Sequence, residues 1–276
     1  MCRLQMPELP EVEFARRQLV RWFSGRSVAR AEAEPARTFR GADRSAFEAI
    51  HGHLLDAGRK GKYLLLSFEG GRGLLAHLGM TGKFVRRPEG EPVPHSRARF
   101  VLDDGAVIHY RDPRLFGRIE PVPADALWSL PVIQGLGVDP LTDGLSAKQL
   151  QKALGETTVD LKVALMDQAR VTGLGNIHAA EALYRAGLHP RRKVGSLSPE
   201  EWRTLARGIR ASLRFALAQE DGEEIEYVEE PGSENPFLVY GRRGEVCRRC
   251  GRRIESITQG GRTTYFCPGC QPRRPR

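Results

Sequence analysis

The amino-acid sequence points to an α+β chain of more than one domain, with a β-sandwich flanked by helices in the N-terminal half and helices in the C-terminal half. Three observations lead there. Short apolar runs at strand spacing fill the stretch from Tyr63 to about Pro123. Helix-capping signatures gather beyond residue 144, and two Cys-x2-Cys pairs stand near the end. The 276 residues correspond to one or two domains of roughly 150 residues each.

The elements follow in chain order. From Pro10 to Phe23, Val12, Ala15, Leu19 and Phe23 recur at three- and four-residue steps, which predicts an amphipathic helix. Pro7-Glu8-Leu9-Pro10 before it is expected to be extended, because a residue preceding proline is biased away from helix. Tyr63–Phe68 and Gly73–Leu78 read as strands. Ala98–Leu102, then Asp103-Asp104-Gly105, then Ala106–Tyr110 reads as a hairpin. Strands this short and this closely spaced predict a sandwich or barrel. The Gly/Pro/Asp-rich stretch Gly135–Asp143 reads as a linker. Beyond it, Ser146-x2-Gln149 and Ser198-Pro199-Glu200-Glu201 are capping boxes. Asn176 can cap a helix from Ile177 to Ala186 that stops at Gly187. The expected domains are residues 7–137, 144–230 and 238–272.

The cysteine spacing is the sharpest single signal. Cys247-x2-Cys250, sixteen residues, then Cys267-x2-Cys270 fits a four-thiolate zinc ribbon. Each pair offers two sulfurs to one ion, and a hairpin brings the pairs together in a tetrahedron. Two disulfides are the alternative, but nothing in the sequence suggests an oxidising compartment. Four thiolates leave no open coordination position, so this zinc is structural. Gly260-Gly261 marks the hairpin turn and puts Arg262 at its tip, as a solvated arginine or as a phosphate contact held rigidly by the metal site.

Composition excludes several classes. Hydrophobic residues make up 40% and charged residues 28%, ordinary for a folded protein. No run approaches the roughly 18 apolar residues of a membrane span, and the N-terminus lacks a secretory apolar core. Net charge is +9, and Leu238–Arg276 holds ten arginines against Glu245 and Glu255, so the basic character is local and suits a polyanion. Glu220–Glu234, just before it, carries eight acidic residues and no basic one, and is expected to be a solvated loop.

Several strings then stand together in order: Met6-Pro7-Glu8-Leu9-Pro10-Glu11-Val12-Glu13, Gly61-Lys62-Tyr63, His77-Leu78-Gly79-Met80, Asp112-Pro113-Arg114-Leu115-Phe116-Gly117, Gly173-Leu174-Gly175-Asn176-Ile177, and the four cysteines. Together they resemble the formamidopyrimidine-DNA glycosylase / endonuclease VIII family of base-excision repair enzymes, from Met6 to Gln271. The resemblance implies a helix–two-turn–helix element in the second domain. It also implies a bifunctional DNA glycosylase and abasic-site lyase with one structural Zn²⁺ and no catalytic metal or organic cofactor.

The resemblance assigns roles residue by residue. Pro7 would be the first residue of the mature chain, and its secondary amine would attack C1′ of a damaged nucleotide and form a Schiff base. An α-amino group with pKa of about 7.7–8.0 is roughly 10–20% free base at pH 7. Glu8 would be the general acid/base. Elimination then breaks the strand, with Lys62 and Arg262 matching the phosphate-binding and elimination-assisting positions. Taken alone, Pro7-Glu8 is an ordinary helix lead-in. Base flipping leaves a gap, and Met80, Arg114 and Phe116 match the side chains that fill it. Core packing is the alternative for Met80 and Phe116. Asn176 matches a phosphate-gripping position, Lys162 matches a phosphate contact or is a solvated helix lysine, and His95 matches a DNA contact.

Three departures stand out. Met1 precedes Met6 by five residues; with them retained, the Pro7 nitrogen is an amide and cannot form a Schiff base, so a start at Met6, or processing that exposes Pro7, is expected. The acidic run replaces the Gly-rich loop of the oxidised-purine branch, although Met80, Arg114 and Phe116 favour that branch. Thr157 stands where relatives can carry a basic contact. The expected partner is damaged double-stranded DNA, with no membrane, a monomeric state, and a cytoplasmic, nucleoid-associated location. The competing readings are an oxidised-pyrimidine glycosylase, a non-catalytic damaged-DNA binder on the same scaffold, and an RNA- or ribosome-associated zinc-ribbon protein.

Overall fold

The structure is a computed structural model that describes residues 7–39, 44–155, 157–220, 222–226 and 234–273. The chain divides into two compact units. The first comprises residues 1–135 and 220–233, the second residues 136–219 and 234–276.

In the first unit, α1 (Leu9–Phe23) leads into β1 (Ser27–Ala33), α2 (Arg44–Glu48), β2 (Gly52–Lys60), β3 (Tyr63–Phe68), β4 (Arg72–His77), β5 (Lys83–Pro88), β6 (Ser96–Leu102), β7 (Ala106–Arg111), β8 (Arg118–Pro123) and α3 (Pro131–Gln134). The strands run β5-β7-β6-β1-β2-β3-β4-β8, and each pairs antiparallel with its neighbours. β1 and β2 share only Ser27↔His53 and Val28↔Gly52, so the sheet bends there into two four-stranded halves. Phe68 of β3 and Phe100 of β6 meet at 5.5 Å between ring centroids, and Phe23 of α1 packs edge-on to both. That apolar cluster is the core of the sandwich.

Helix α1 begins at Leu9, immediately after Glu8, whose backbone is extended. Leu9 and Pro10 are already helical, contrary to the expectation of an extended tetrapeptide. Proline is tolerated in the first turn because its missing N–H has no intrahelical partner there. Val12, Ala15, Leu19 and Phe23 are all buried, as their spacing requires.

The acidic run corrects a second expectation. Residues 222–226 are docked on the first unit: Gly222 O accepts from Gln18 Nε2 at 2.9 Å, Ile225 O accepts from Lys83 Nζ at 3.1 Å, and Ile225 joins the core. Glu224 pairs with Arg87 and lies 3.9 Å from Lys83 Nζ. The rest of that run, from residue 227 to 233, lies outside the described residues, as do residues 1–6.

The second unit contains α4 (Ala147–Leu154), α5 (Leu161–Leu165), α6 (Asn176–Ala186), α7 (Pro199–Gln219) and the hairpin β9 (Glu255–Gln259) with β10 (Arg262–Phe266). Both capping boxes form: Ser146 N–H donates to Gln149 Oε1 at 2.8 Å, and Ser198 N–H to Glu201 Oε2 at 2.8 Å. Gly187 ends α6 in the left-handed region, at φ 70°. No helix among the described residues is long and apolar enough to cross a membrane.

Candidate nucleic-acid and catalytic site

The head of α1 gathers charge from distant sequence. Glu8, 2% exposed, stands just before the helix, and its N–H donates to Glu11 Oε2 at 2.8 Å. Burial, then the nearby charge of Glu8, push the Glu11 carboxyl up to about 7; the charge of Lys62 pulls the other way. Lys62 reaches this place on the β2–β3 hairpin, whose two-residue turn is Gly61-Lys62 between Lys60 and Tyr63. Arg59 fixes that turn. Its Nη1 donates to Gly61 O at 2.9 Å, and its Nε donates to Glu13 Oε2 of α1 at 3.2 Å. Burial alone would raise the Glu13 carboxyl, but hydrogen bonds from Arg16 and Arg17, with the charges of Arg16 and Arg59, hold it at about 2. The Glu13–Arg59 pair therefore ties the Pro7–Glu8 end of α1 to the Lys62 turn. Sequence reasoning singled out neither residue of that pair; only the glutamate sits in a quoted string.

The loops expected to meet a lesion belong to the same unit. Phe116 is 44% exposed, so core packing is not its role; Met80 is half-buried. The Arg114 guanidinium lies over the Phe116 ring at 4.8 Å, and its buried Nη1 has no hydrogen-bond partner among the described residues. His95 is exposed at φ 64°.

In the second unit the four cysteine sulfurs lie within 4.8 Å of one another. Cys247 and Cys270 are 3.8 Å apart, Cys250 and Cys267 3.4 Å. A zinc tetrahedron with bonds of ~2.3 Å sets its sulfurs about 3.8 Å apart, whereas a disulfide needs ~2.05 Å. The thiols are free, and the donor set fits one structural zinc. Arg249 N–H points at Cys247 Sγ from 3.4 Å, and the Tyr184 hydroxyl of α6 lies 3.2 Å from the same sulfur.

The hairpin then seats its tip. Gly260 and Gly261, at φ 53° and 71°, make the two-residue turn, and Arg262 is exposed beside it. Asn176 does not cap α6. Gly175 holds the cap position, and Asn176 Nδ2 donates instead to Thr263 O at 2.9 Å. Lys162 is 0% exposed, so it is not a solvated helix lysine. Thr157 spends its hydroxyl locally, accepting from Val159 N–H at 3.3 Å. One residue that sequence reasoning passed over does much of the docking. Glu181, buried on α6, accepts N–H bonds from Leu238, Val239 and Tyr240 at 2.8–3.1 Å. A glutamate mid-helix looks like a surface residue until a turn of bare N–H groups is laid over it.

Comparison with known proteins now decides the family. The formamidopyrimidine-DNA glycosylase N-terminal domain matches residues 6–119, its H2TH domain residues 136–226, and the zinc finger found in FPG and IleRS residues 244–273. A formamidopyrimidine-DNA glycosylase of Heliobacterium modesticaldum is 40% identical over 276 residues, covering 96% of this chain and 100% of its own. The chain belongs to the formamidopyrimidine-DNA glycosylase family. This family is one of bifunctional DNA glycosylases and abasic-site lyases acting in DNA repair, and the chain is an enzyme of that kind. The crystal structure of the MutM (Fpg) protein from Thermus thermophilus superposes with a TM-score of 0.81 at 36% identity, covering 98% of this chain and 100% of that one. A Lactococcus lactis FPG mutant in complex with Fapy-dG-containing DNA superposes with a TM-score of 0.85 at 30% identity, covering 96% of this chain and 100% of that one. MutM in complex with carbocyclic 8-oxo-G-containing DNA gives a TM-score of 0.85 at 31% identity, with the same coverage. Such complexes support DNA binding by the family fold.

Proposed function

We propose that this enzyme flips oxidised purines, 8-oxoguanine and formamidopyrimidines, out of duplex DNA and removes them through a Schiff base on Pro7. The observation that carries the reading is the head of α1, where Glu8, Glu11 and the Lys62 turn are drawn together beside Pro7. The free Pro7 nitrogen attacks C1′, the bond from C1′ to the base breaks, and the base leaves with the bonding electrons and takes up the proton that the Pro7 nitrogen sheds. Glu8 carries a proton to the ring oxygen as the sugar opens, which leaves the iminium on Pro7. β-Elimination then breaks the strand on the 3′ side and δ-elimination on the 5′ side. Lys62 and Arg262 hold phosphate during these steps, and Asn176 and Lys162 serve backbone binding. Met80 and Phe116 fill the vacated stack, and the Arg114 donors meet the orphaned base. The support for an oxidised-purine substrate is this trio, together with relatives crystallised on Fapy-dG and 8-oxo-G DNA.

The reading requires an unacylated Pro7 nitrogen, hence a mature chain whose first residue is Pro7, whether translation starts at Met6 and that methionine is removed or a longer chain is trimmed to Pro7. It further takes the protein as a monomer on damaged duplex DNA at the nucleoid. A panel of duplexes carrying 8-oxoguanine, a formamidopyrimidine or an oxidised pyrimidine tests the substrate. Purine-derived bases are expected to be released at least about tenfold faster. Faster release of the pyrimidine lesion moves the substrate to the other branch, and tight binding with no release leaves a damage-binding protein.

A further inference from the structure

Met80, His95, Arg114 and Phe116 come from three separate loops, and one residue bonds to all three. Asp112 is 0% exposed. Its Oδ1 accepts from Thr81 Oγ1 at 3.0 Å, in the Met80 loop, and from Arg114 N–H at 3.2 Å. Its Oδ2 accepts from Gly117 N–H at 2.8 Å, on the far side of Phe116. Its own N–H donates to His95 O at 3.0 Å. Between the two bonded N–H groups sits Leu115 at φ 56°, a left-handed conformation that a leucine keeps only where its surroundings enforce it. The loops also touch directly. A Cβ on Gly79, itself at φ 67°, would lie 2.4 Å from the Phe116 carbonyl carbon, so the Met80 loop rests on the Phe116 backbone.

We propose that Asp112 is the positioning residue that fixes these loops as one preset wedge, so that the side chains entering the vacated stack need no ordering when the lesion leaves it. The proposal rests on the reading of Met80, Arg114 and Phe116 as gap-filling residues. A carboxylate suits the task because it only accepts, and three donors converge on its two oxygens. An amide of the same shape must turn its NH2 toward the Gly117 N–H, or toward the Arg114 N–H and Thr81, so that a backbone donor faces a donor either way.

The test separates filling a gap from making the adduct. Asp112→Asn is measured in single-turnover base release from an 8-oxoguanine duplex and in borohydride trapping on a single-stranded abasic oligonucleotide, which has neither a stack to fill nor an orphaned partner. Duplex release is expected to fall about 10- to 100-fold, with trapping on the single strand within about threefold. Thr81→Val, which removes one of the three bonds, is expected to show the same split at smaller size, and it decides the matter if Asp112→Asn does not fold. Equal losses on both substrates, or no loss on the duplex, overturn the proposal. Phe116→Ala and Met80→Ala run alongside. If they leave duplex release unchanged, the gap-filling reading itself fails and takes the proposal with it. If they slow release while Asp112→Asn does not, only the proposal fails.

Discussion

Arg262 and Phe116 both stand at exposed loop tips, yet different physics holds each in place. The Arg262 hairpin has two five-residue strands and little apolar core of its own. It is stiffened by the four-cysteine cluster and seated on α6 by Asn176, Glu181 and Tyr184, while its few apolar holds are the Tyr265 ring against Tyr240 and the Phe266 ring against His189. The Phe116 loop grows from a large aromatic core and is trimmed into shape by Asp112. A small element can be rigid without a core if a metal closes it, whereas a loop on a sandwich takes its rigidity from the sheet beneath. Damage to one support should therefore leave the other tip intact.

The largest effect is expected at the head of α1, which neither support reaches. Glu8→Gln should slow base release by about 10²–10⁴-fold while DNA affinity stays within a few-fold. Single-turnover kinetics with a binding isotherm checks this, and lost binding would make Glu8 structural. Next comes the metal. Cys267→Ser should abolish zinc content and weaken binding about tenfold or more at ~0.1 M salt, on every sequence alike, because phosphate contacts carry no sequence information. The first unit should keep its hydrogen-exchange protection, and unchanged zinc content would contradict the assignment. Glu181→Gln should destabilise the second unit by about 1–3 kcal/mol, since three N–H donors then face an amide. Exchange at Leu238–Tyr240 should rise, and exchange in β6 and β7 should not.

The smallest effect is one of pH. The folded Glu11 carboxyl titrates near 7, above its ordinary 4.5, so the native state holds a proton that the unfolded chain has lost. Stability should therefore fall as pH rises from about 4.5 to 7, and Glu11→Gln should flatten that part of the profile. Glu13 acts in the opposite sense. Held near 2, it contributes stability above about 4.5 that is lost as pH drops toward 2. Thermal melts from pH 3 to 8 on both proteins separate the two.

What could be read from sequence follows the kind of signal. The zinc ligands were plain because metal geometry forces their spacing, and α1, α4 and α7 were plain because apolar periodicity and capping boxes are local. β1 was missed because its polar positions Arg30 and Glu32, the latter opposite Arg99, hide the apolar alternation, and β5 because Phe84 and Val85 are its only apolar run between Lys83 and Arg86-Arg87. Asn176 was read as a cap because cap chemistry is local, while its bond to Thr263 spans 87 positions. For Lys162 the sequence leaves a phosphate contact and a solvated lysine both open for the same reason, since its burial is set by the tertiary fold. Arg59 and Glu181 had no local signal at all, and their partners are set only by the tertiary fold.

The central claim is that the Pro7 nitrogen is the nucleophile. Borohydride trapping on an abasic duplex, with the crosslinked peptide sequenced and the N-terminus of the same preparation fixed by intact mass, tests it most directly. The account predicts a chain beginning at Pro7 with the sugar remnant reduced onto its ring nitrogen. An equally active chain that still carries Met1–Met6, or an adduct on Lys62, would contradict it.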